Sequence, residues 1–100
     1  MAQETKNSIL IIGGGLLGLS IAYEFSRNNF KVLVLSKNRN ESAGFVAAGM
    51  LATHAEGLED ELLKFGQESQ NLIPKWIQSI EQDSNIKCGL KKCGIVVPFK

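Results

Sequence analysis

The sequence predicts an α/β protein. A βαβ unit of a parallel sheet is followed by a helical connection and then by two short strands. Three observations carry this expectation. An Ile-rich run, Ser8–Ile12, ends at a glycine; an apolar-periodic segment follows from 16 to about 28; a second β-branched run, Lys31–Leu35, comes directly after it. Short continuous apolar runs of this kind read as strands covered on both faces of a parallel sheet. Between them, apolar residues at 17, 21 and 25, with 19, 22 and 23 beside them, predict a helix with a wide buried face that stops at Asn28-Asn29. Strand, helix and strand in that order form a unit whose crossover is right-handed in nearly all proteins.

The next segment, 36–46, is polar and rich in turn formers, so it reads as a surface loop. From Leu58 onward, apolar positions at 58, 62, 65, 72, 76 and 80, with Ser69 in step, keep the spacing of an amphipathic helix. Pro74 falls inside it, so either the helix kinks there or a second helix starts with Pro74 in its first turn. Asp83-Ser84-Asn85 ends the helical pattern, and 86–90 and 93–99 read as two short strands of a hairpin or sheet edge.

Composition excludes several classes of function. The chain has 100 residues, 44% hydrophobic and 21% charged, an ordinary globular balance with room for one modest core. Eleven Lys and Arg oppose ten Asp and Glu, and the basic residues are spread from Lys6 to Lys100, so no nucleic-acid footprint is visible. Two cysteines and one histidine cannot supply a four-ligand zinc site, and no metal site is expected. Glu4 offsets Lys6, and three consecutive glycines interrupt the apolar stretch after it, which also falls short of the roughly 20 residues a bilayer span needs. Neither a secretory leader nor a membrane partner is indicated, and the expected compartment is reducing and cytoplasmic.

The chemistry starts at Gly13-Gly14-Gly15-Leu16-Leu17-Gly18, a G-x-G-x-x-G that follows a predicted strand and opens a predicted helix. Gly13 allows the sharp turn out of the strand, Gly15 lets backbone approach a pyrophosphate, and Gly18 lets the helix pack closely on the sheet. Free N–H groups at the helix start then face the anion, helped by the helix dipole. The pattern is that of a Rossmann-like, dinucleotide-binding unit for FAD or NAD(P). An acidic residue that would bind the adenine ribose is expected near the end of the second strand, and the chain has Ser36 there. Lys37 and Arg39 beside it read either as a 2′-phosphate site or as a solvated basic pair.

A second constellation, Ala47-Ala48-Gly49-Met50-Leu51-Ala52 followed by His54-Ala55-Glu56, is a small-residue segment that would let backbone lie against a flat ligand. Taken together, IIGGGLLGLSIAYE, AAGMLATHAE, LIPKWIQSIE and CGIVVP closely resemble the start of the FAD-dependent amino-acid oxidases of the D-amino-acid oxidase superfamily. Within that superfamily the resemblance is to the glycine oxidases of thiamine thiazole biosynthesis. It spans residues 8–99, and the AAGM segment is far more specific than the glycine fingerprint. The resemblance implies a division into residues 1–56, an FAD-binding βαβ unit with a flavin-side loop; 57–84, a helical connection; and 85–100, the first strands of a substrate domain.

By motif, Gly13, Gly15, Leu16, Leu17 and Gly18 would hold the FAD pyrophosphate, and Ser36 and Lys37 would sit at the adenosine ribose. Ala43 and Gly44 match a pair that often bears hydroxyls in relatives, with Ser42 close enough to compensate. Ala48, Gly49 and Met50 would line the flavin side. The resemblance further implies oxidation of a small amine-bearing substrate to an imine, with hydrogen peroxide formed. The substrate-clamping side chains lie beyond these positions, so no catalytic residue is assigned here and the chain by itself is expected to be inactive. Two other readings remain: a stand-alone adenine-dinucleotide-binding module, and a truncated product whose incomplete sheet exposes an apolar edge prone to self-association.

Four features have simpler explanations than chemistry. His54 reads as a polar residue fixing a loop, and Cys88 and Cys93 as buried strand thiols. The acidic cluster Glu56, Glu59, Asp60 and Glu61 complements a helix dipole, and Trp76 belongs to a core.

Overall fold

A computed structural model describes residues 7–98 and divides the chain into two compact units, Met1–Gly49 and Met50–Lys100. The first unit holds the βαβ motif. Strand β1 (Ser8–Ile12), helix α1 (Leu16–Arg27) and strand β2 (Lys31–Leu35) follow in order, and β1 pairs with β2 in parallel, Ser8 opposite Lys31 and Ile12 opposite Leu35. Gly13 extends the ladder by one bond, its N–H donating to the Leu35 carbonyl at 2.8 Å before the chain turns at φ +114°. That turn is open to glycine and strained for other residues.

Both strands alternate in exposure. Ile9, Ile11, Val32 and Val34 are half-buried, while Leu10, Ile12, Leu33 and Leu35 are exposed, Ile12 at 83%. The expectation of strands covered on both faces is therefore corrected: the described residues cover one face of the sheet. Helix α1 reaches that face through its small residues, a Cβ on Gly18 standing 3.4 Å from Ile11 Cγ2. The half-buried side of α1 runs through Gly18, Ala22 and Tyr23. Leu17 and Ile21, which periodicity assigns to the buried face, are exposed. A short sheet offers a single narrow contact, and a helix approaches it most closely where it has no bulky side chains.

The stop of α1 is built from local bonds. Asn28 Nδ2 donates to the Glu24 carbonyl at 2.8 Å, and Asn29 takes a left-handed φ of 64°. The Phe30 N–H then donates to the Phe25 carbonyl at 3.1 Å, and the two rings meet edge to face at 5.0 Å. The segment read as a surface loop contains more structure than expected: a 3-10 turn, Arg39–Glu41, and a one-turn helix α2, Ala43–Val46. Asn38 caps the first through its side-chain oxygen, which accepts from the Asn40 N–H at 3.0 Å. Such side-chain turns are what Asn and Ser offer a polar segment.

The second unit is organised by a single helix, α3 (Asp60–Ser84). Pro74 lies within it, so the alternative of a separate second helix is not realised. It ends where the Asp83-Ser84-Asn85 signal falls: Asn85 adopts φ 58° and its N–H donates to the Glu81 carbonyl at 2.9 Å, a left-handed cap. Beyond it, residues 85–98 form no strand, which corrects the expected pair of strands, the last of which also ran into residues outside the described range. Gly89 and Gly94 both take positive φ, 74° and 76°, and interrupt each would-be strand. Cys88 and Cys93 are exposed free thiols rather than buried ones. The Cys88 N–H is held by the Glu81 carboxylate at 3.1 Å.

No described residue is fully buried; Trp76, assigned to a core by its size, is half-buried. No helix among the described residues is long and apolar enough to cross a membrane.

Candidate functional site: a glycine turn at the strand ends

Parallel strands place their carboxyl ends on the same side of the sheet, and ligands of open α/β sheets bind there. In the first unit this edge carries the glycine turn after β1 and Ser36 after β2. Gly15 is the N-cap of α1, in extended backbone and with no side chain to cap it. The first intrahelical bond runs from the Leu19 N–H to the Gly15 carbonyl at 3.0 Å. The N–H groups of Leu16, Leu17 and Gly18 precede it in the first turn, where a helix has no carbonyls of its own to offer them. Leu16 and Leu17 are 71% and 79% exposed, so this turn lies at the surface.

The glycines are used for close approach. A Cβ on Gly18 would collide with the Gly13 carbonyl oxygen, so only glycine lets α1 leave the turn at this angle. A Cβ on Gly14 would stand 2.7 Å from both the Cβ and the Oγ of Ser36, which packs Ser36 directly over the turn. Sequence reasoning gave Gly14 no role; its signal was the middle place in three glycines in a row. On the other side, a Cβ on Gly15 would lie 3.6 Å from the Ser42 Cβ, and one on Gly44 would lie 3.1 Å from the Leu16 Cβ. The segment from Ser36 to Gly44 therefore comes back to the start of α1.

Of the residues singled out in sequence, Gly13, Gly15, Leu16, Leu17, Gly18, Ser36, Ala43 and Gly44 fall on one end of this unit. Lys37 is exposed next to Ser36. Ser42 is half-buried, and its hydroxyl donates to the Arg39 carbonyl at 2.8 Å. Its single proton is used there, so toward a phosphate it offers a donor only after breaking that bond. Ala48 and Gly49 are exposed, with Gly49 at φ 81° and open space around it. Met50, 73% exposed, opens the second unit.

In that second unit, the residues after Met50 form a turn bound to α3. Thr53 Oγ1 donates to Gln70 Oε1 at 3.0 Å, and Gln70 Nε2 donates to the Leu51 carbonyl at 3.4 Å. Gln67 Nε2 lies 3.0 Å from His54 Nε2. An amide nitrogen only donates, so His54 accepts through Nε2, which commits that nitrogen to holding the turn. Sequence reasoning placed His54 in a loop-fixing role and missed its partners. Their signal was Gly66 inside an amphipathic helix, with Gln67 and Gln70 beside it. The acidic residues at 56 to 61 form no metal-holding group among the described residues; Asp60 and Glu61 occupy the first turn of α3, where they complement its dipole.

The Cβ position of Gly18 is filled by close backbone packing, while that of Gly15 meets only Ser42 at 3.6 Å, so the first-turn N–H groups of α1 have a small residue beside them, the setting in which helix starts bind anions. Comparison with known proteins places the chain among relatives. The chain is 41% identical over 91 residues to the bifunctional protein ThiO/ThiG of Trichormus variabilis, covering 90% of this chain and 14% of that protein. It is 28% identical over 93 residues to a glycine oxidase of Geobacillus kaustophilus, covering 91% of this chain and 25% of that protein. It is also 26% identical over 98 residues to the mitochondrial pyruvate dehydrogenase phosphatase regulatory subunit of Mus musculus, covering 96% of this chain and 10% of that protein. The chain thus spans a quarter or less of the length of each of these relatives, and no solved structure matches it. With the glycine turn, its βαβ setting and a family match running over residues 8–100, this chain belongs to the FAD dependent oxidoreductases of the DAO family.

Proposed function

We propose that this chain supplies the adenosine-diphosphate cradle and the start of the flavin-side segment of an FAD-dependent amine oxidase acting on a small, glycine-like amino acid, within thiamine thiazole biosynthesis and in the cytoplasm. One observation carries the reading: the glycine turn, Ser36 and the 42–44 segment converge at the carboxyl ends of β1 and β2, with glycines wherever a Cβ would fill the space. The names of the relatives, a ThiO/ThiG protein and a glycine oxidase, support the substrate class.

Bound FAD would supply the two-electron acceptor that takes hydride from the substrate α-carbon. This chain's own residues bind and orient. Leu16, Leu17 and Gly18 present backbone N–H groups to the pyrophosphate, Gly15 keeps its approach open, and Ser36 offers the ribose hydroxyls a neutral partner. Ala48, Gly49 and Met50 would give the ring a small-residue wall. In the whole reaction the amine loses a hydride from carbon and a proton from nitrogen to become an imine, and dioxygen takes up two electrons and two protons to give hydrogen peroxide. None of the residues here touches the substrate α-carbon in this reading, so the chain by itself turns nothing over.

The direct test is titration of the purified chain with FAD, read by flavin fluorescence and by yellow cofactor retained after desalting. Stoichiometric retention is expected, with at least about a tenfold loss in Gly15→Asp, where a carboxylate would face the pyrophosphate across the space that Gly15 leaves open. Release of all FAD by the unaltered chain would overturn the reading. A second reading, an adenine-dinucleotide-binding module without turnover, draws on the match to a regulatory subunit. It predicts ADP binding, lost on the same substitution, in a protein that never oxidises an amine even when complete.

A further inference from the structure

Ser42 lies beside the start of α1, and its backbone is anchored there independently of its hydroxyl. Its N–H donates to the Arg39 carbonyl at 3.1 Å, and its own carbonyl accepts from the Phe45 N–H at 3.1 Å. The 3-10 turn before it is fixed by Asn38, whose side-chain oxygen accepts from the Asn40 N–H at 3.0 Å and whose carbonyl accepts from the Glu41 N–H at 3.2 Å. After it, Gly44 brings the chain close to α1: a Cβ there would stand 3.1 Å from Leu16 Cβ. The Arg39 carbonyl is thus served twice, by the Ser42 N–H and, at 2.8 Å, by the Ser42 Oγ–H. When the hydroxyl turns away, that carbonyl keeps a partner, so the cost is one neutral hydrogen bond and no orphaned acceptor. On the facing side, Gly15 caps α1 without a side chain, and the place its Cβ would take is 3.6 Å from the Ser42 Cβ. A serine at the N-cap would supply the first turn with a hydroxyl of its own; here the hydroxyl nearby comes from a later segment of the chain.

We infer that the Ser42 hydroxyl is an exchangeable phosphate donor: in the free chain its proton goes to the Arg39 carbonyl, and on binding it turns to an oxygen of the pyrophosphate taken up by the first-turn N–H groups of α1. The inference rests on the FAD reading above and adds a donor to that site. No covalent bond changes; one hydrogen bond is exchanged for another. The exchange runs toward the ligand because a bond to an anionic oxygen is stronger than one to a neutral carbonyl. The 3-10 turn and the close approach at Gly44 hold the Ser42 backbone in advance, so binding resets one side-chain torsion and orders little else. Ala43 and Gly44 carry no hydroxyl, so within residues 42–44 Ser42 is the side chain that can donate.

The test titrates the full chain with FAD, ADP and adenosine, the first followed by flavin fluorescence and the others by calorimetry. Ser42→Ala removes the donor and keeps the backbone anchors. It is expected to weaken FAD and ADP binding by about threefold to tenfold, the surplus of a hydrogen bond to an anion over the neutral one given up. Adenosine, which has no phosphate, should bind both chains alike. Ser42→Thr keeps the hydroxyl, and Gly15 has no Cβ to meet the added methyl, so this variant should bind FAD and ADP within about twofold of the unaltered chain. Phosphorus resonances of bound ADP give a readout independent of affinity: at least one moves in Ser42→Ala and returns in Ser42→Thr. The donor role is overturned by a Ser42→Ala chain that binds ADP like the unaltered one, by an equal loss of adenosine and ADP, or by phosphorus resonances that stay in place. An unaltered chain that binds neither FAD nor ADP instead overturns the FAD reading and takes this inference with it.

Discussion

Ser36 stands at the end of β2, where a dinucleotide-binding βαβ unit commonly carries an acid for the ribose, and it packs over Gly14 with no room for a Cβ between them. A neutral hydroxyl hydrogen bond contributes about 0.5–1.5 kcal/mol against about 1.5–3 kcal/mol for a charged partner. Ser36→Asp is therefore expected to raise ADP affinity by about fivefold to tenfold at low salt, with the gain shrinking as salt is added, as measured by calorimetric titration. An unchanged or lower affinity would mean that the ribose lies away from β2. At this scale the sequence was legible where a residue's role is a backbone role within the fold: Gly13 turns the chain and Gly18 lets α1 pack closely, as their spacing predicts. Ser42 was not legible in the same way, because its proton is committed to the Arg39 carbonyl only by the 3-10 turn that sequence reasoning read as loop.

Among the elements, α3 continues through Pro74 for a total of 25 residues. Proline has no N–H to offer the Gln70 carbonyl, and its ring crowds that turn. Pro74→Ala should therefore stabilise the second unit. The helix gains up to about 3 kcal/mol in intrinsic preference, reduced by about 0.4–1 kcal/mol because the unfolded chain becomes freer. A urea titration followed by helical circular dichroism should show the midpoint moving up, and a downward shift would mean that the Pro74 ring makes contacts that outweigh its cost to the helix. Helix ends were readable at this scale because Asn28 and Asn85 act through their own backbone and side chain. The two strands expected after Asn85 were not, because strand formation depends on a partner, and Gly89 and Gly94 break the extended backbone before one is met.

For the whole molecule, the uncovered sheet face is the dominant physical fact. Leu10, Ile12, Leu33 and Leu35 stand 50–83% exposed side by side on paired strands. Contiguous apolar surface of this kind drives association. The chain as given is expected to associate in a concentration-dependent manner in sedimentation velocity, and Leu33→Lys, which places a charge in the middle of that face, should shift it toward monomer. A chain that stays monomeric at high concentration without the substitution would show that this face is covered in solution.

What the sequence by itself determined is the βαβ order, the strand and helix limits of the first unit and the glycine turn. These rest on local chemistry: β-branched runs, asparagine stops and positions where only glycine fits. Tertiary structure alone decided which side of α1 faces the sheet, that one face of the sheet stays open, that Ser36 lies over Gly14 and that α3 holds the turn after Met50. Each of these depends on residues far apart in sequence coming within contact distance, and hydrophobic periodicity records which residues are apolar without recording what they meet.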